Sequence, residues 1–140
     1  MGLQLTPLGT LTLAMGESIT LPNCPSGLRV IVEFPAITWE GERLRARLKG
    51  KAAADWIAIG PEGTATLDIR FTMETEDGAV IFVQTHGRTD SAKFAAGAPV
   101  YLAPRFETGD ARYAWLNRIQ AVAKGKLESG AVRFEVHEVV

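Results

Sequence analysis

Hydrophobic and polar residues alternate with a period of two along most of the chain. The clearest segment runs from Thr64 to Glu74, where the apolar residues all fall on one face: Ala65, Leu67, Ile69, Phe71 and Met73. Because successive side chains of a strand point to opposite faces, this pattern predicts a strand with one buried face. The Glu-Asp-Gly sequence at 76–78 predicts a hairpin turn into a return strand over 78–84.

The same pattern predicts further strands over residues 3–14, 28–34, 37–48, 55–59, 99–106, 117–127 and 131–139. The last two flank Glu-Ser-Gly at 128–130, which predicts a closing hairpin. Two segments depart from the pattern. Residues 51–54 indicate a loop or one helical turn, and residues 109–117 begin with Asp110, which suits the N-cap of a short helical turn.

Many short strands at spacings of roughly 8–12 residues are typical of an all-β sandwich or barrel. Several strands are long and keep polar residues on one face over most of their length. A sandwich would expose that face, whereas a closed barrel can turn part of it towards a ligand. We therefore predict one domain over residues 1–140, a single closed antiparallel β-barrel of about 8–10 strands with short loops and at most one helical turn.

Composition and charge exclude several classes of protein. The chain has 140 residues, 46% of them hydrophobic, and a formal net charge of −1, which argues against nucleic-acid binding by phosphate neutralisation. No apolar run approaches the roughly 18 residues of a membrane span. The N-terminus lacks the pattern of a secretory signal, and the single cysteine, Cys24, excludes an intramolecular disulfide. These features predict a cytoplasmic protein without a membrane partner.

Candidate chemistry is densest in residues 103–117. This segment contains five candidate site residues: Arg105, Glu107, Tyr113, Trp115 and Asn117. A pocket needs apolar walls and a few placed polar groups, and this segment supplies both. The alternative is a strand end and tight loop held by local ion pairs.

A second candidate pair, Asp68 and Arg70, lies two residues apart on one face of the best-defined strand. If that face lines the interior, Asp68 stays ionised beside Arg70, and the guanidinium is suited to hold a ligand oxygen. The alternative is an exposed ion pair worth little stability. Trp56 is a candidate pocket wall, with core packing as its alternative.

Gln84 and His86 lie near a strand end, where a pocket rim is expected. The two histidines and the cysteine show no metal-ligand spacing, and no phosphate loop, dinucleotide fingerprint or nucleophile elbow is present. We therefore expect neither a metal nor a cofactor.

Several motifs occur in an order that resembles one known protein family. They include Thr38-Trp39-Glu40-Gly41, Ala54-Asp55-Trp56 and Leu67-Asp68-x-Arg70-Phe71-Thr72. The longest is Pro104-Arg105-Phe106-Glu107-Thr108-Gly109-x-x-x-Tyr113-Ala114-Trp115-Leu116-Asn117. The chain resembles the uncharacterised DUF3237 family, also called UPF0311. The resemblance implies a closed antiparallel barrel, self-association with a dimer as the first expectation, and shared motifs that include Asp55. The sequence departs from the family pattern at Ala46 and at Thr85-His86.

Three functions are compatible with these features. The first is a cofactor-independent enzyme of the isomerase/cyclase or lyase/hydratase type, acting on an oxygenated, partly apolar metabolite in the barrel interior. Its predicted catalytic residues are Asp68, Arg70, Glu107 and Tyr113. The predicted ligand-binding residues are Trp56, Gln84, His86, Arg105, Trp115 and Asn117. The second is a non-catalytic barrel that carries a small ligand. The third is a structural homo-oligomer with the polar cluster in its interface.

Overall fold

The computed structural model describes every residue from Met1 to Val140 and contains eleven strands and two short 3-10 helices. The strands are β1 (Leu5–Ala14), β2 (Ser18–Cys24), β3 (Gly27–Glu33), β4 (Ala36–Glu40), β5 (Arg45–Leu48), β6 (Ala54–Ile59), β7 (Thr64–Thr75), β8 (Val80–Asp90), β9 (Val100–Glu107), β10 (Ala121–Glu128) and β11 (Ala131–Val139). The first 3-10 helix is Phe94–Ala96, and the second is Ala111–Arg118.

Eight strands close into an antiparallel barrel, which confirms the predicted fold class. Around the ring the order is β7, β5, β4, β1, β11, β10, β9 and β8, and the β8–β7 pairing closes it. Strand β7 is long enough to pair with β5 through residues 73–75 and with β6 through residues 65–70. Strands β6, β3 and β2 therefore extend from the first half of β7 and continue the wall on that side.

Local sequence signals place most elements, and the differences have physical causes. The turns at 76–78 and 128–130 connect β7 to β8 and β10 to β11, and the Asp110 side chain accepts a hydrogen bond from the backbone N–H of Arg112 as an N-cap. The segment 37–48 bends at residues 42–43 and divides into β4 and β5. Alternation does not predict strand β2, because it is an edge strand, exposed along nearly its whole length, with no buried face.

Large side chains fill one end of the barrel. The Trp39 ring is fully buried, donates its indole N–H to the Leu8 carbonyl oxygen at 3.2 Å, and meets Phe106 edge to face at 5.5 Å between ring centroids. The second 3-10 helix contributes the fully buried Leu116 to the core. The other end of the barrel, where β7 begins and β8 ends, is not filled in this way.

Candidate functional site

A cavity of about 250 Å³ occupies the less densely filled end of the barrel. Fourteen of its eighteen lining residues are hydrophobic, and the other four are Ser18, Asp55, Thr89 and Ser91. For comparison, a dry apolar cavity of roughly 150 Å³ is large enough to bind benzene. The space is therefore sufficient for a compact organic molecule.

Short side chains on β3, β7 and β9 leave room for the cavity at this end. Its walls include Ala65, Val30, Val32 and Val100, whereas the next inward-facing position of β7 beyond the lining is the fully buried Phe71. On β7 the lining runs from Ala65 to Ile69, which is about 13 Å along an extended strand. The cavity thus runs beside the first half of β7 and ends against the filled half of the core.

Asp55 brings a carboxyl group into this apolar space. It lies on β6 opposite Ile69 of β7, and the residue is only 5% exposed. Its Oδ1 accepts a hydrogen bond from the backbone N–H of Asp68 at 3.0 Å, and its Oδ2 makes no hydrogen bond within the protein. Burial raises the pKa of Asp55 to about 7, because the ionised form loses its hydration.

Two of the other three polar side chains that line the cavity already donate their hydroxyl protons within the protein. Thr89 donates its hydroxyl proton to the Pro99 carbonyl oxygen at 3.0 Å, and Ser91 donates to the Gly63 carbonyl oxygen at 2.7 Å. No lysine, arginine or histidine lines the cavity. Asp55 is therefore the titratable group of this site, and near neutral pH it can both donate and accept a proton.

The predicted pair Asp68 and Arg70 lies on the outer face of β7 rather than in the interior. Arg70 Nη2 is 3.0 Å from Asp68 Oδ2, and His86 Nε2 is 3.6 Å from Asp68 Oδ1. The hydrogen bond from Arg70 holds the pKa of Asp68 below its usual value. The closed barrel turns the apolar face of β7 inwards, so this polar face is on the outside.

Other predicted residues share the same outer surface. The Arg70 guanidinium lies over the Trp56 ring at 5.4 Å, and Gln84 on β8 is paired with both Arg70 and Arg105 in register. Glu107 lies at the end of β9, exposed. The structure therefore brings these residues together on the outer face of β6–β9, separated from the cavity by the sheet itself.

The remaining three predicted residues lie on the second 3-10 helix, far along the barrel from the cavity. The Tyr113 hydroxyl donates to Asp77 at 3.0 Å, and burial raises the pKa of Tyr113. Arg43 lies over the Trp115 ring at 4.9 Å. The Asn117 side-chain amide exchanges two hydrogen bonds with the backbone of Thr108, at 2.8 and 2.9 Å. These contacts hold the helix against the filled end of the barrel.

Asp55 is not among the candidate site residues that the sequence pattern favours. A signal is nevertheless present, because Asp55 alternates with Ile57 and Ile59 and thus shares the apolar face of its strand. A carboxylate on an apolar face is the pattern of a buried acid with an altered pKa. The predicted pocket wall, the neighbouring Trp56, faces outwards instead.

The structure contains no group of three or more histidine, cysteine, aspartate or glutamate side chains placed to hold a metal ion. None of its helices has the length and apolar character needed to cross a membrane.

Comparison with known proteins gives consistent matches over the whole chain. Residues 3–139 match the family described as "Protein of unknown function (DUF3237)". A UPF0311 protein of Bradyrhizobium diazoefficiens is 29% identical, over 94% of this chain and 93% of the relative. The crystal structure of a β-barrel-like protein of Acinetobacter baumannii has a TM-score of 0.89 and 27% identity, over 100% of this chain and 98% of that one. A structure from Penicillium herquei, described as an enzyme, has a TM-score of 0.77 and 19% identity, over 99% and 94% of the two chains.

Proposed function

The chain belongs to the DUF3237 family of proteins of unknown function, and we propose that it is a cofactor-independent enzyme that uses Asp55 for acid–base catalysis on a small molecule bound inside the barrel. The observation that carries the proposal is a buried carboxyl group bordering an apolar cavity of about 250 Å³, with one oxygen free of any protein partner. The distant Penicillium herquei neighbour, which is described as an enzyme, is in accord with catalysis on this fold.

The chemistry of the cavity favours an uncharged ligand that is mostly apolar and carries an oxygen function. An anionic ligand would meet no cation in the lining and would be repelled by ionised Asp55. A sugar or other polyhydroxylated compound would bury more hydroxyl groups than the lining can satisfy. A ketone or alcohol places one polar atom against Asp55 and its hydrocarbon part against the apolar walls.

Protonated Asp55 can donate a hydrogen bond to a carbonyl or leaving oxygen, and ionised Asp55 can take a proton from an adjacent carbon or hydroxyl. A pKa of about 7 makes both forms available near neutral pH. Isomerisation, cyclisation and the addition or loss of water each need one such group that gives and takes a proton. The proposed reaction is therefore of the isomerase/cyclase or lyase/hydratase type.

Proton exchange in D₂O tests this function with simple ketones in place of the natural substrate. Neutral cyclic ketones that bind the protein are incubated with it, and ¹H NMR follows exchange of the hydrogens next to the carbonyl. We expect exchange with the native protein and a loss of about 10²-fold or more with Asp55→Asn. Glu74→Gln, which changes an exposed carboxylate on the outer face of β7, serves as the matched control. Equal rates for native protein and Asp55→Asn would contradict the proposal.

One observation favours the second function, a non-catalytic carrier. Asp55 has no second titratable side chain beside it in the cavity, whereas many acid–base sites use two. A carrier would bind the same ketones with no exchange in either protein. Asp55→Asn would then retain binding, because an amide also offers a hydrogen-bond donor to the ligand.

A further inference from the structure

Three ionisable residues form a cluster on the outer surface behind the cavity carboxyl: Asp68, Arg70 and His86, hereafter the outer cluster. Asp68 receives two hydrogen bonds from Arg70, at 3.0 and 3.4 Å, and lies 3.6 Å from the His86 ring nitrogen. About 27% of the Asp68 side chain is exposed, whereas the Arg70 and His86 side chains around it are 51% and 59% exposed. The proposed function gives these residues no role.

The strand pair between the cavity and the outer cluster is interrupted. Strands β6 and β7 pair at Ala54–Arg70 and Asp55–Ile69, and again from Ala58 onwards, but Trp56 and Ile57 have no partner on β7. At this interruption the backbone N–H of Asp68 donates to Asp55 Oδ1. The Trp56 carbonyl oxygen accepts from Arg29 on β3 instead.

Asp68 therefore makes contacts on both faces of the barrel wall. Its backbone holds the Asp55 carboxyl in the cavity, and its side chain is fixed on the outside by Arg70 and His86. The other charged side chains beside this part of β6 are Arg29 and Glu33 of β3.

We propose that the outer cluster sets the electrostatic environment of the catalytic carboxyl of Asp55 across the interrupted β6–β7 pair, with Asp68 as the positioning residue that connects the two faces. The catalytic consequence rests on the proposed function, whereas the coupling between Asp68 and Asp55 is a property of the folded protein alone. Negative charge on Asp68 opposes ionisation of Asp55, and Arg70 offsets that charge.

Titration of Asp55 by ¹³C NMR tests the coupling in the ligand-free protein. Asp68→Asn keeps the backbone donor and removes the charge, so we expect the pKa of Asp55 to fall by about half a pH unit. Arg70→Gln leaves Asp68 without its offsetting partner, so we expect the pKa of Asp55 to rise. Opposite shifts from these two variants would not result from a loss of stability.

Glu74→Gln is the matched control, because Glu74 lies on the same face of the same strand and is paired with Lys49 at 3.0 Å. We expect it to leave the pKa of Asp55 unchanged. An unchanged Asp55 pKa in both Asp68→Asn and Arg70→Gln would overturn the inference, as would an equal shift in Glu74→Gln. If Asp68→Asn does not fold, Arg70→Gln alone tests the inference: a rise in the Asp55 pKa supports it, and a fall or no change overturns it.

The exchange assay separates this inference from the proposed function. If the native protein catalyses exchange, its pH profile is expected to move with the Asp55 pKa in both cluster variants. Shifted NMR pKa values without any exchange would support the coupling and contradict the enzymatic function. Exchange that depends on Asp55 but keeps one pH profile in all variants would support the function and overturn the role of the outer cluster.

Discussion

Asp55→Asn is expected to stabilise the protein above neutral pH, although it removes the proposed catalytic group. In the native state, burial raises the pKa of Asp55 from 3.8 to about 7. The unfolded chain ionises near the lower value. Ionised Asp55 therefore opposes folding, and the stability present below pH 4 is lost as the pH rises to about 7.

The size of this effect follows from the two pKa values. The folded and unfolded pKa values of Asp55 differ by about 3, and a difference of 1 in pKa corresponds to about 1.4 kcal/mol. The free energy of unfolding is therefore lowered by about 4 kcal/mol when Asp55 is fully ionised. Linkage places about 2–3 kcal/mol of this loss between pH 5 and pH 8.5. The asparagine variant retains the acceptor for the Asp68 backbone N–H and does not titrate, so it avoids this loss.

Urea unfolding of native protein and Asp55→Asn at several pH values measures the difference directly. Other carboxylates titrate in both proteins, so they cancel in the comparison. We expect the variant to gain about 2–3 kcal/mol relative to native protein between pH 5 and pH 8.5, whereas Glu74→Gln, an exposed control, shows no such trend. A native-to-variant difference that stays constant with pH would refute the assignment of Asp55 as a buried acid with a raised pKa.

Three further substitutions test the cavity and the core. Ala65→Leu adds a larger side chain to the cavity wall, so ketone binding measured by NMR titration should weaken at least tenfold while the urea midpoint is unchanged or higher. Trp39→Phe leaves the Leu8 carbonyl oxygen unpaired and a void in the core, and should cost about 2–4 kcal/mol in urea unfolding. Gly87→Ala places a methyl group against the Tyr101 backbone, and we expect a loss of more than about 2 kcal/mol by the same method. Unchanged binding or stability would contradict the corresponding packing argument.

Interactions between residues close in sequence make much of the architecture predictable. Alternation along β7, the Asp-Gly turn before β8 and the capping side chain of Asp110 each act over a few residues, so their signals are present in the sequence. Strand β2 gave no comparable signal, because an exposed edge strand has no need for an apolar face. Its place in the wall is decided by pairing with β3, a partner that local patterning does not identify.

Alternation along the chain is enough to show that β7 has an apolar and a polar face, and that Asp68 and Arg70 share the polar one. Closure of the barrel turns that polar face outwards, because burying those charges would cost more than burying Leu67 and Ile69 in their place. Pairing of β6 with β7 and β3 in the extended part of the wall places Asp55 inside. Its pKa depends on the wall of β3 and β7 around it, so its chemistry is a property of tertiary structure.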